Sequence, residues 1–324
     1  MLCVLCTLLL VELRTHTNKK LLSIHLLNLH NCLVSSYIKQ LFFFFLFFIQ
    51  SNLIITNTQM DFYCKHFALN HSQSTMKVGT DAILLASFLN SLFSPSSTLP
   101  YTSSILPTYN SIPPLPNIPT PFTPKNILDV GTGSGILSLC VSQIFPSSNI
   151  LAIDIDEKSI EEANNNFAYN HLSSKIKTSC ISLQHLATTT DQRFDFLLSN
   201  PPFFSSSLPS PNQRRTISRH NVTLSPEDFA LSTSKLLLPN ALVALILPPT
   251  EMTHLRTLLS LQHIHLIALI NIFPKPFSPL KRQICLFRNS PSLPSTILTH
   301  NFLIRTSHNH YTPSYTHLTS PFLL

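Results

Sequence analysis

Asn200-Pro201-Pro202-Phe203 is the stretch best equipped to do chemistry, and the group it suits is planar and carries an amine. It follows Phe194 to Ser199, an apolar run of strand length with aromatic enrichment. A proline pair cannot continue a central strand, so the chain must turn out of the sheet there. The turn presents an amide side chain at Asn200, a backbone carbonyl at Pro201 with no competing local donor, and an aromatic face at Phe203. The two acceptors can each take one N–H of an exocyclic amine while the ring stacks on the base. The alternative is an ordinary proline turn closing a strand.

A second motif lies upstream. Asp129-Val130-Gly131-Thr132-Gly133-Ser134-Gly135 joins a short apolar strand to an amphipathic helix pattern. The chain has only four glycines, and three sit here; the fourth is Gly79. A chain so poor in glycine keeps it where the backbone needs a positive φ or a close approach to a ligand. Strand, glycine turn and helix N-terminus make a cradle for a nucleotide-containing cofactor. Ile136 stands where a dinucleotide fingerprint needs glycine or alanine. The pattern resembles the first motif of S-adenosylmethionine-dependent methyltransferases instead. The next strand carries Asp154, placed to accept hydrogen bonds from a ribose diol. Asp156 competes for that role, but is better suited to cap the helix beginning near Glu157.

These motifs need a sheet to hold them. From Lys125 the chain alternates strand and helix. Strands are predicted at 126–130, 149–155, 175–181, 194–199, 241–248, 263–272 and 282–287, and helices at 134–145, 157–171, 225–238 and 250–261. This rhythm implies an α/β fold: a mostly parallel, seven-stranded sheet with helices on both faces. Asp129, Asp154 and Asn200 then fall at the carboxyl ends of strands, where such sheets bind ligands.

The 324 residues divide by texture. Residues 1–59 are rich in Leu, Phe, Asn and His without a sustained period. They read as upstream sequence translated from an early start codon, as a disordered tail, or as a weak membrane anchor. The Phe/Leu run from Leu41 to Ile49 is shorter than the ~20 residues of a membrane helix, and stable membrane association is not expected. A chain starting at Met60 is expected to be equally active. Residues 60–94 form an N-terminal cap segment in which Thr80 or Asp81 can cap an apolar helix. Residues 95–124 are a linker in which nine of thirty residues are proline. Residues 125–324 form the catalytic domain. The net charge is +7, although ten of the fourteen acidic residues fall between Asp129 and Asp228. A basic balance outside an acidic site suits a polyanionic partner; compositional drift is the plainer reading. Seven scattered cysteines make neither a disulfide framework nor a zinc site, and fit a reducing cytoplasm.

Residues 60–324, apart from the linker, resemble the bacterial S-adenosylmethionine-dependent valine-tRNA adenine N(6)-methyltransferases. The resemblance rests on Met76-Lys77-Val78-Gly79-Thr80-Asp81-Ala82-Ile83-Leu84-Leu85, on the two motifs above, and on Arg215, Arg219-His220 and Tyr311-x-x-x-Tyr315-x-x-Leu318-Thr319. It implies a Rossmann-like class I methyltransferase fold, S-adenosylmethionine as cofactor and tRNA as substrate. It further implies cofactor contacts at Lys77, Gly79, Thr80, Asp129, Gly131, Thr132, Gly133, Gly135, Asp154 and Asn200. Ser182 stands where the family usually has an acidic residue. Catalysis falls to Asn200, Pro201, Pro202 and Phe203, with no metal. Arg214, Arg215 and Arg219 are candidate phosphate contacts, with Lys281-Arg282 a weaker pair of the same kind; a solvated basic loop is the plainer reading. The rivals are a protein glutamine N(5)-methyltransferase acting on release factors, a DNA adenine methyltransferase, and a catalytically dead cofactor-binding module.

Overall fold

Alternating apolar side chains decide the architecture. In Ile127-Leu128, Phe196-Leu197 and Leu242-Val243 both members are buried, and the two join separate hydrophobic clusters. A strand buried on both faces needs helices above and below it. The computed structural model describes residues 60–74, 79–93, 122–201 and 224–324.

A two-stranded ribbon, β1 (Phe62–Tyr63) and β2 (Ala68–Leu69), precedes helix α1 (Thr80–Phe93). Then follow β3 (Asn126–Val130), α2 (Ile136–Ile144), β4 (Asn149–Asp154), α3 (Glu157–Tyr169), β5 (Ile176–Cys180), α4 (Leu183–Thr189) and β6 (Phe194–Ser199). After residue 224 come α5 (Pro226–Leu236), β7 (Leu237–Leu247), α6 (Pro249–Leu261), β8 (Ile264–Phe273), β9 (Arg282–Asn289), β10 (Leu298–Leu303) and α7 (Pro313–Thr319). The large sheet has the order β10-β8-β9-β7-β6-β3-β4-β5. Only β9 runs against its neighbours. The carboxyl ends of the other seven strands therefore share one edge, to which β9 brings its amino end. Helices α1, α2, α3 and α7 feed one core cluster; α4, α5 and α6 feed the other.

The sheet is the expected Rossmann-like one, with eight strands in place of seven. The eighth, β10, pairs in parallel with β8 at the edge. In its sequence only His300 and Phe302 are buried, because an edge strand has one neighbour and little apolar surface to hide. Two short helices, α4 and α7, also escaped the periodic pattern. β7 starts four residues earlier than expected, directly after α5, with Asn240 at φ 63° in an exposed bend.

Phe93 and Phe122, which flank residues 94–121, meet with ring centroids 5.1 Å apart and pack on Phe145 and Phe196. At the carboxyl edge, Arg282 Nε donates to the Asp81 carboxylate at 2.8 Å, tying the head of α1 to β9. That arginine, read from the sequence as a phosphate contact, thus serves as an internal anchor. Among the described residues no helix is long and apolar enough to cross a membrane.

Candidate functional site

The glycine turn is built by its own backbone. Gly131, Gly133 and Gly135 have φ of 71°, 54° and 85°, values that suit glycine and few other residues. The N–H groups of Gly131 and Thr132 both donate to the carbonyl of Ile153, at 2.9 and 3.0 Å, which stitches the turn to the end of β4. Asp154, one residue on, accepts from the Gly133 N–H at 2.9 Å and the Asp156 N–H at 3.0 Å. Asp156 caps α3, accepting from the N–H and hydroxyl of Ser159.

Asp129 is fully buried beneath the turn. One of its oxygens accepts from the Thr132 hydroxyl at 2.7 Å and the Ser138 hydroxyl at 2.6 Å. The other oxygen is buried with no partner among the described residues. Burial pushes the Asp129 carboxyl up, the Ser138 and Thr132 hydroxyls pull it down and the charge on Asp154 adds to the rise, which together bring it to about 6. Burial also raises Asp154, against the pull of its backbone donors. In an unfolded chain Asp129 would titrate near ~3.9. Folding therefore favours its protonated form. The stability it contributes is complete below ~4 and is lost as pH rises through about 6. Asp129→Asn keeps an acceptor for both hydroxyls and removes the charge. Its melting temperature should exceed the wild type's at pH 8 and match it at pH 4; parallel melts at both values that fail to diverge would refute the assignment.

Two further contacts bring Asn200 beside the turn. β6 lies next to β3, with Ser199 opposite Val130. The Ser199 hydroxyl donates to the Val130 carbonyl at 2.6 Å, locking the two strand ends together. Asn200 follows immediately, and its side-chain oxygen is buried with no partner among the described residues. An amide oxygen so placed loses its water and gains nothing in return unless a donor arrives.

One face of α3 holds the chain that precedes the Met76-to-Leu85 motif. Glu162, Asn166 and Asn170 recur every four residues and so form one stripe along the helix. The Glu162 carboxylate accepts from the N–H groups of Gln73 and Ser74 at 2.9 and 2.8 Å. Asn166 donates at 2.8 Å to the carbonyls of both Asn70 and Ser134, and accepts from the Asn70 N–H. Asn170 pairs with both backbone groups of Ala68. The stripe thus joins residues 68–74 to the glycine turn. Sequence reading passed over these three residues; the signal was polar residues at a spacing of four beside the apolar pair Ala163 and Phe167.

The structure brings Asp129, Gly131, Thr132, Gly133, Gly135, Asp154, Asn200 and Pro201 to one edge of the sheet. Ser182 reaches the same edge, since the Ile181 N–H bonds the Asp154 carbonyl. Its hydroxyl caps α4 by accepting from the His185 N–H. Gly79 and Thr80 are exposed at the head of α1. Lys77, Pro202, Phe203, Arg214, Arg215 and Arg219 lie outside the described residues. Also among the described residues, no group of three His, Cys, Asp or Glu could hold a metal ion.

The edge fits a nucleoside cofactor carrying positive charge. Among the described residues a Cβ on Gly133 would meet nothing within 4 Å, which leaves room over the turn for such a ligand. Asp154 at the end of β4 and Asp129 beneath the turn are both carboxyls that burial holds above their ordinary range, and a cation bound near them would relieve them.

Residues 114–219 match the family model described as the Methyltransferase small domain. A tRNA1(Val) (adenine(37)-N6)-methyltransferase of Porphyromonas gingivalis is 30% identical over 264 residues, 80% of this chain and 92% of that protein. One of the same name from Vibrio campbellii is 30% identical over 264 residues, 80% of this chain and 94% of that protein. Among solved structures, a protein called a predicted O-methyltransferase from Agrobacterium tumefaciens superposes with a TM-score of 0.49 at 15% identity, covering 74% of this chain and 95% of its own.

Proposed function

Because the chain belongs to the family of tRNA1(Val) (adenine(37)-N6)-methyltransferases, we propose that it methylates the exocyclic N(6) amine of an adenine in tRNA, in the anticodon loop of a valine tRNA. The observation that carries the chemistry is the buried amide oxygen of Asn200 at the end of β6, which has no partner among the described residues.

S-adenosylmethionine bound at the glycine turn supplies a methyl group on a sulfonium, already activated for displacement. Gly131 and Gly133 let the backbone approach it, and Asp154 is placed to meet the ribose. Asp129 and Asp154 together set a negative potential that suits its positive charge. Thr132 and Ser138 hold Asp129 in place. Lys77, Gly79, Thr80, Gly135 and Ser182 complete the candidate cofactor contacts, Ser182 with a hydroxyl where a carboxylate is usual.

The amine is the difficult partner, because its lone pair is conjugated into the ring. The Asn200 side-chain oxygen accepts one of its N–H groups and the Pro201 carbonyl the other. Holding both hydrogens aims the lone pair away from the acceptors and favours a pyramidal nitrogen. Phe203 stacks on the base, which must first be turned out of its loop to bring its amine to Asn200 and Pro201. Arg214, Arg215 and Arg219 are proposed phosphate contacts.

Incubation with S-adenosylmethionine and an unmodified valine-tRNA transcript should add one methyl mass to an adenosine. Transfer to a release-factor glutamine with the tRNA untouched would overturn the proposal in favour of the protein-methylating rival.

A further inference from the structure

The carboxyl edge continues well beyond the glycine turn, and its far part has a chemistry of its own. No acidic residue follows Glu251, whereas Arg256, Lys275, Lys281, Arg282, Arg288 and Arg305 all do. Lys275, Lys281 and Arg305 fall on this edge, in the β8–β9 loop and the turn after β10. The two segments are joined: Ile304 N–H donates to Phe273 O and Arg305 N–H to Pro274 O, both at 3.0 Å. Lys281 precedes the arginine that binds Asp81, so the patch runs back to the head of α1.

Two features here are more than charge. Phe277 is fully exposed, and its φ of 62° is a conformation bulky residues avoid. The loop thus holds an aromatic ring in water at a cost in backbone strain, with no contact among the described residues to account for it. In the adjoining turn the Arg305 guanidinium lies 4.1 Å from the centre of the Tyr311 ring, and Tyr311 stacks on Tyr315 at 4.5 Å. Arg305 also donates to the Asn309 carbonyl at 2.8 Å. A guanidinium fixed in this way loses little further freedom on meeting a phosphate.

We propose that the β8–β9 loop and the turn after β10 form a docking surface for unpaired nucleotides of the RNA substrate. Phe277 stacks on a base, and Lys275, Lys281 and Arg305 meet phosphates. Positive charge whose neighbouring acid, Asp81, is taken up by Arg282, interleaved with an exposed ring, is the chemistry that binds single-stranded nucleic acid. The inference rests on the function proposed above and extends it to a surface away from the reacting atoms.

The test uses the full chain and a fluorescent valine-tRNA transcript, with affinity measured across a range of salt. Phe277→Gly should weaken binding by about tenfold, the scale of one lost base stack. It should also raise the melting temperature, because glycine relieves the strain at that position. A purely structural Phe277 would not give both results. Lys275→Ala with Lys281→Ala should lower the salt slope by roughly 0.7 for each phosphate contact removed, and affinity for S-adenosylmethionine should stay as in the wild type. If the wild type methylates tRNA while these variants bind it with unchanged affinity and slope, the surface is wrong and the function stands. Loss in the lysine variant alone overturns the stacking surface in favour of an unspecific basic patch. A wild type that neither binds nor methylates tRNA overturns the function and the surface together.

Discussion

Replacing Asn200 by Ala should lower turnover by on the order of a hundredfold or more, the scale seen when one preorganised polar group is removed from a reacting centre. Cofactor affinity should change little, since Asn200 is assigned to the methyl end of the cofactor and the amine, and not to the adenosine. The fold should not suffer either. The Asn200 oxygen is buried without a partner among the described residues, so exchanging the amide for a methyl removes a group that costs free energy to bury. Slow chemistry in a protein at least as stable as the wild type would separate catalysis from folding. Single-turnover methyl transfer at saturating tRNA is the measurement. A loss under about tenfold, worth ~1.4 kcal/mol of barrier, would remove Asn200 from the catalytic role.

Gly133→Val should weaken S-adenosylmethionine binding by about tenfold or more, the scale of forcing added volume into a filled site. At φ 54° the new side chain would project into the open space over the turn. Calorimetric titration of the folded variant decides the point, and unchanged affinity would mean that the cradle lies elsewhere. Gly135→Ala makes the contrast. Its Cβ would stand 2.5 Å from Cε1 and 2.6 Å from Cζ of Phe167, a ring buried in the core. That variant should lose roughly 2–4 kcal/mol of stability through overpacking and a left-handed backbone, a loss read as a lower melting temperature.

These two glycines mark where the sequence stops being legible. Scarcity and spacing pointed to both, and the structure gives both positive φ. What separates them is Phe167, which is distant in sequence and reaches only one of them. The strands that build the centre of the sheet were readable because each is a nearly unbroken apolar run buried on both faces. β10 was not, since an edge strand needs no such run. The polar stripe on α3 escaped for the opposite reason. Glu and Asn are normally surface residues, and only the folded chain brings backbone groups to meet them. Asn200 was legible as a residue type in a stiff turn; the want of a partner for its oxygen among the described residues was not.

The same stripe has a thermodynamic consequence. Asn166 holds the Asn70 carbonyl with one amide hydrogen and the Ser134 carbonyl with the other. Order in residues 68–74 and order in the glycine turn therefore draw on one set of bonds. A cofactor that steadies the turn lowers the entropy still to be lost by residues 68–74, and substrate that contacts this segment would return the effect to the cofactor. By linkage the two effects are equal in factor. Where tRNA makes that contact, cofactor and tRNA should each tighten the other's binding through these bonds, in addition to their meeting at the methyl group.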